Sequence, residues 1–147
     1  MISAIVLAAG RSSRMGRPKA LLPVGSTGDT FLTRILQTLR VSGIVRAVVV
    51  LGGDAVAVRS TLPTGDEFIV VVENERYQQG QLSSLLAGLS AVLGNTPDVE
   101  AVMVTPVDLP LVTAATVRAV LAAYRHAPSA PIVRPSRGTE HGHPVIL

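Results

Sequence analysis

The chain contains no cysteine and no tryptophan, and only 3% of its 147 residues are aromatic. Without cysteine there is no disulfide and no thiolate metal site. Without aromatics there is little surface on which bases could stack, and the cations do not spread along a helix, so nucleic acid is not an expected partner. No apolar run approaches the roughly 20 residues that a membrane span needs. No positive segment precedes the short apolar run at the N-terminus, so no signal peptide is read there. These absences fit a reducing cytoplasm, which is the expected location, with no membrane partner. The net charge of +3 is small, and it points to small anionic ligands rather than to a polyanion.

What the chain does have is aliphatic bulk. Hydrophobic residues make up 48% of the sequence, mostly Val, Leu, Ile and Ala, which favours buried parallel strands covered by helices. A chain of this length buries roughly 68–70% of its unfolded surface, enough for one core. A single domain over residues 1–147 is expected.

The most informative stretch is Leu7 to Pro23. An apolar run from Ala4 to Ala9 leads into Gly10, and four cations follow within nine residues: Arg11, Arg14, Arg17 and Lys19. Ser12, Ser13 and Gly16 sit among them. A buried strand that empties into glycines, hydroxyls and cations is an anion site in the making. Glycine admits a phosphate to the backbone, N–H groups point inward, and the cations neutralise charge. The loop lacks both Gly-x-x-x-x-Gly-Lys-Ser/Thr and Gly-x-Gly-x-x-Gly, which excludes a standard P-loop or dinucleotide fingerprint.

Ile2 to Ala9 reads as a first, central strand, apolar on both faces. Asp29 or Thr30 is placed to cap a helix through Phe31, Leu32, Ile35, Leu36 and Leu39, with Gly43 ending it. Val45 to Leu51 reads as the second strand, Gly52-Gly53-Asp54 as a turn, and Asp54 as the cap of a short helix to about Ser60. Phe68 to Val72 is the third strand, and Glu73 to Gly80 a polar loop. A helix from Gln81 or Ser83 to Gly94 has Leu82, Leu85, Leu86, Leu89 and Val92 as its apolar face. Ala101 to Val104 is the fourth strand. Thr113 caps a helix whose shared face is Val117, Val120, Leu121 and Tyr124. Ile132-Val133 reads as a short strand, Arg134 to Gly142 as loop, and Val145-Ile146-Leu147 as the start of another strand.

This alternation predicts an α/β fold, doubly wound, with a mostly parallel Rossmann-like sheet and helices on both faces. Ligands of such sheets bind outside the carboxyl ends of the strands. Four polar stretches fall there: Gly10 to Lys19, Gly52 to Asp54, Glu73 to Ser84, and Thr105 to Pro110. Within them Asp108, held between Pro106 and Pro110 after a buried strand, is a natural Mg²⁺ ligand, because Mg²⁺ takes one or two carboxylates plus substrate phosphates. Gly80-Gln81-Leu82-Ser83-Ser84 either caps its helix or contacts a base or sugar, and Asn74 carries the same two readings. His141-Gly142-His143-Pro144 reads as a turn lining an acceptor pocket rather than as a metal pair. Arg134 and Arg137 either meet an anionic acceptor or are simply solvated.

With these segments placed, the sequence resembles the MobA-like NTP transferases, and within them the molybdenum cofactor cytidylyltransferase branch. Leu-Ala-Ala-Gly-Arg-Ser-Ser-Arg-Met-Gly-Arg-Pro-Lys, from Leu7 to Lys19, is similar to that family's Leu-Ala-Ala-Gly-x-Ser-x-Arg-Met-Gly-x-Pro-Lys. Gly80 to Leu89 resembles its Gly-x-Ser-Ser-Ser-Leu-x-x-Gly-Leu, Thr105 to Leu111 its Pro-Val-Asp-x-Pro-Leu, and Gly142-His143-Pro144 its Gly-His-Pro. The resemblance implies a nucleotide-diphospho-sugar transferase-like fold and an Mg²⁺-dependent nucleotidyltransferase that moves CMP from CTP to the terminal phosphate of molybdopterin, releasing pyrophosphate. It further implies a molybdoenzyme as a partner. It assigns nucleotide binding to Leu7, Ala8, Ala9, Gly10, Arg11, Ser12, Ser13, Arg14, Lys19, Gly80 and Ser84, the metal to Asp108, and catalysis to Lys19, Arg14 and Asp108. Ala9, where guanylyl-transferring relatives carry glycine, favours CTP over GTP.

Two alternatives share the same loop. One is a cytidylyl- or uridylyltransferase acting on a sugar or polyol phosphate. The other is a non-catalytic nucleotide- or cofactor-binding relative. Family members continue to a late Asp-x-Asp-Thr-Pro segment whose aspartate is a second metal ligand, and these 147 residues hold no such segment. The expectation is therefore of a C-terminally shortened form in which substrate binding is firmer than turnover.

Overall fold

The computed structural model of the chain describes residues 1–10 and 16–147. Five strands, β1 (Ile2–Ala8), β2 (Ala47–Leu51), β3 (Ile69–Glu73), β4 (Ala101–Pro106) and β7 (Val145–Ile146), form one sheet in the order β3-β2-β1-β4-β7. β1 pairs in parallel with β2 and with β4, and β2 pairs in parallel with β3. Only β7 runs antiparallel, with Met103 opposite Ile146 and Val104 opposite Val145. The doubly wound, mostly parallel sheet expected from the sequence is therefore the observed one.

The strand pattern explains which residue faces where. Side chains alternate along a strand, so Ala4 and Val6 of β1 enter one core with Ala47, Val49 and Met103. Ile5 enters the opposite core with Val48, Val50 and Val104. A strand apolar on both faces has to be covered on both. The helices α1 (Phe31–Val41) and α4 (Ala114–His126) cover the first face through Leu32, Ile35, Leu36, Leu39, Val117, Val120 and Leu121. The short α2 (Ala55–Arg59) adds Ala55 and Val58 to it. The second face is covered by α3 (Gln81–Asn95).

Local chemistry sets the helix starts. Thr30 caps α1 by accepting the Thr33 N–H, and Thr33 returns a bond to the Thr30 backbone, a reciprocal capping box. Thr113 caps α4 through the Thr116 N–H. Asp54 stands at the start of α2 but makes no side-chain cap bond there, contrary to the sequence expectation.

Two further expectations are corrected. The apolar face read for α3 included Leu82 and Leu86, yet these are 67% and 56% exposed. The line that meets the sheet is Ser84, Gly88 and Val92. A Cβ at Gly88 would lie 2.7 Å from Ile5 Cγ2 and 3.0 Å from Val50 Cγ2, so the missing side chain lets α3 settle directly on the sheet. Small residues win the buried line because the helix packs closely; Leu85 and Leu89 flank it partly buried, while Leu82 and Leu86 are left outside. Ile132-Val133 forms no strand; Val133 makes a single bridge to Ile146. The stretch read as loop from Arg134 to Gly142 instead contains a small hairpin, β5 (Ser136–Arg137) with β6 (Glu140–His141).

Candidate functional site

In the observed strand order, β2 and β3 lie to one side of β1 and β4 to the other. The winding reverses between β1 and β4, and a crevice opens outside the carboxyl ends at such a switch point. There the structure has a cavity of about 290 Å³. Each of the four polar stretches picked out in the sequence contributes to its lining, through Gly10 and Lys19, Asp54, Gly80 and Ser84, and Pro106 and Asp108.

The wall on the β1 side is Leu7, Ala8, Ala9 and Gly10, followed by Pro18, Lys19 and Ala20. Lys19 begins a 3-10 turn, Lys19–Leu21, that Pro18 enters with extended backbone. Buried Ala20 and half-buried Leu21 pack into the first core, so the exit of the loop is anchored while the lysine remains at the crevice. Arg11, Ser12, Ser13 and Arg14, which the sequence assigns to the same loop, lie outside the described residues.

From the other side of the switch point, β4 runs out through Pro106 into Val107 and Asp108. The Val107 N–H donates to the Leu7 carbonyl at 3.0 Å, and Val107 is buried in the first core. That registers the end of β4 on the end of β1 and presents Asp108 to the crevice. Asp108 Oδ2 lies 3.6 Å from Lys19 Nζ, with both side chains about half exposed. Among the described residues no group of three or more His, Cys, Asp or Glu forms a metal cage. Asp108 therefore offers one carboxylate beside a cation, a donor set suited to a hard divalent ion that takes its remaining ligands from phosphates and water.

The third wall is the start of α3. Gly80 precedes it with φ of 98°, a conformation that favours glycine, and Gly80, Gln81 and Ser84 line the crevice. Buried Ser84 Oγ accepts a hydrogen bond from Asn74 Nδ2 at 3.0 Å. A helix N-terminus aimed at a cavity provides unpaired N–H groups and a positive dipole end for an anion or a carbonyl edge.

Tyr77 also lines the crevice, and the sequence reading did not single it out. Its ring packs on Gly52 and Gly53, where an added Cβ would reach 2.9 Å from Tyr77 Cγ and Tyr77 Oη respectively. The signal was present as a Gly-Gly pair after one strand and a lone aromatic in the polar loop after the next. His143 lines a second cavity beside Leu82, Leu85 and Val145. Leu7 and Gln81 are common to both cavities.

The model of the family described as MobA-like NTP transferase domain matches residues 4–147. Among solved structures, Rv0371c from Mycobacterium tuberculosis H37Rv is 32% identical, with a TM-score of 0.80 over 99% of this chain and 70% of its own. The same protein has also been solved in complex with manganese. A nucleotidyl transferase from Methanothermobacter is 27% identical, with a TM-score of 0.81 over 99% of this chain and 70% of its own. Among the described residues no helix is long and apolar enough to cross a membrane.

Proposed function

The chain belongs to the MobA-like NTP transferase domain family, and from that premise we propose that its crevice binds CTP and serves transfer of CMP to the terminal phosphate of a molybdopterin acceptor. The observation that carries the reading is the meeting of Lys19 and Asp108 above the ends of β1 and β4, beside the N-terminus of α3.

In the proposed reaction an oxygen of the acceptor phosphate attacks the α-phosphorus of CTP, a new P–O bond forms, and pyrophosphate leaves in line. Such a transfer needs little covalent chemistry from protein side chains; it needs positioning and charge stabilisation. Lys19 neutralises phosphate charge, and Arg14 is assigned the same work from its place in the loop. Gly10 admits the phosphates to the backbone. Gly80 and Ser84, across the crevice, face the base and hold its orientation. Asp108 is the residue that would hold Mg²⁺, whose role when bound is to offset charge on the phosphate oxygens. CTP is favoured over GTP on the strength of Ala9. The manganese complex of the mycobacterial relative supports a divalent-metal requirement, assigned here to Mg²⁺.

The test is to incubate the protein with Mg²⁺ and each nucleoside triphosphate in turn, with molybdenum cofactor, with a sugar or polyol phosphate, or with neither, and to measure pyrophosphate. The reading expects release with CTP that depends on the acceptor. Release that depends instead on a sugar or polyol phosphate would reassign the acceptor. CTP binding with no release under any condition would leave a nucleotide-binding protein and overturn the transfer.

A further inference from the structure

Asn74 is not among the residues that line the crevice, yet it is hydrogen-bonded to one that does. It follows β3, is 7% exposed, and its backbone N–H donates to the Leu51 carbonyl at 2.8 Å, tying it to the end of β2. Its side-chain oxygen accepts the Arg76 N–H at 3.0 Å. A backbone N–H can only donate, so this bond fixes which end of the amide is oxygen and turns Nδ2 toward α3. Nδ2 then donates to Ser83 Oγ at 2.8 Å and to Ser84 Oγ at 3.0 Å. Both amide hydrogens are used, and both serine hydroxyls are acceptors in these bonds.

The two serines differ in where their own hydrogens go. Ser83 Oγ has the Gly80 carbonyl at 2.8 Å and the Arg76 carbonyl at 3.0 Å as acceptors. Ser84 has no such carbonyl among the described residues; the bond from Asn74 is one that it receives. Ser84 is 4% exposed and lines the crevice. A buried hydroxyl with one of its two lone pairs occupied and its hydrogen unspent can offer that hydrogen to whatever fills the cavity.

We propose that Asn74 is a positioning residue: by donating to one lone pair of the Ser84 hydroxyl it leaves the serine hydrogen to be donated into the crevice, to a carbonyl oxygen or unprotonated ring nitrogen of a base. The inference rests on the reading of the crevice as a nucleotide site. Exchanging the amide for a carboxylate tests it, because a carboxylate still accepts the Arg76 N–H but can only accept from Ser84. The serine hydrogen would then be drawn out of the crevice and a lone pair presented in its place.

The experiment is a double-mutant cycle read by CTP titration of the folded protein: wild type, Asn74→Asp, Ser84→Ala, and both together. The expected result is about a tenfold loss of CTP affinity in each single variant, with no further loss when Asn74→Asp is added to Ser84→Ala. A loss from Asn74→Asp that persists without the hydroxyl assigns Asn74 to the loop alone and overturns the proposal, as does unaltered binding in either single variant. Should Asn74→Asp not fold, Asn74→Ala in the same cycle reads the same coupling. If the wild type binds no nucleoside triphosphate, the nucleotide reading itself fails and the proposal goes with it. That outcome is distinct from a wild type that binds while the cycle shows no coupling.

Discussion

Lys19 Nζ stands 3.6 Å from Asp108 Oδ2, joining the loop after the first strand to the loop after the fourth. The two residues reach each other because β1 and β4 are neighbours in the sheet and because the Val107 N–H is bonded to the Leu7 carbonyl. Both side chains are about half exposed, so the pair itself contributes little to stability, on the order of 0–1 kcal/mol. Its importance is positional: it brings a cation and a carboxylate to one side of the same crevice.

Asp108→Asn follows directly. The fold should survive with a thermal midpoint within a few degrees of wild type, since only an exposed pair is lost. Metal-dependent pyrophosphate release should disappear. Turnover at the wild-type rate, measured at saturating Mg²⁺ and CTP, would remove Asp108 from the metal role.

Gly52→Ala should damage both stability and binding. An added Cβ would collide with the Ala9 carbonyl oxygen and come within 2.9 Å of Tyr77 Cγ. The carbonyl is backbone at the end of β1 and yields only by shifting the loop. A loss of about 1–3 kcal/mol is expected in denaturant unfolding, together with weaker CTP binding. Equal stability and affinity would mean that the close approach of these two loops is unimportant.

Gly88→Ala tests the seating of α3. Its Cβ would lie 2.7 Å from Ile5 Cγ2 and 3.1 Å from Ile5 Cδ1, inside a packed core. A cost of about 1–3 kcal/mol is expected, although alanine is the better helix former by roughly 1 kcal/mol. A stabilised protein would show that propensity outweighs packing at this position.

The leucines of α3 supply the contrasting case. Leu82→Ala and Leu86→Ala should each change stability by no more than about 0.5 kcal/mol, because both residues are mostly exposed. Val92→Ala removes two methyl groups at a fully buried position and should cost roughly 2 kcal/mol. Unfolding curves for the three variants rank them, and a costly Leu82→Ala would reinstate the face read from periodicity.

Much of the fold was legible because its signals are local. The apolar run from Ile2 reads as a central strand, and Thr30 and Thr113 announce the helices they cap. Asp54 shows the limit of such signals, for it has a capping residue's type and place without the bond. The orientation of α3 was harder to read. Its sequence is apolar nearly all round, so periodicity favours the largest side chains, whereas the helix packs through Ser84, Gly88 and Val92. Short Val133 and the β5–β6 hairpin depend on pairings that local pattern does not carry. At the crevice the residue types were legible segment by segment, from Gly10 and Lys19 through Gly80 and Ser84 to Asp108. Their convergence is tertiary, set by strand order. The bonds of the Asn74 amide, the packing of the Tyr77 ring and the 3.6 Å approach of Lys19 to Asp108 exist only in the folded chain.

The crevice between β1 and β4 is proposed to hold a nucleoside triphosphate, with Lys19 on its phosphates. Calorimetric titration of wild type and Lys19→Ala with CTP in the presence of Mg²⁺ tests it most directly. Saturable binding at one site is expected in the wild type, with a loss of about tenfold or more in the variant, the scale of a charged hydrogen bond. No binding by the wild type, or equal affinities in the two proteins, would contradict it.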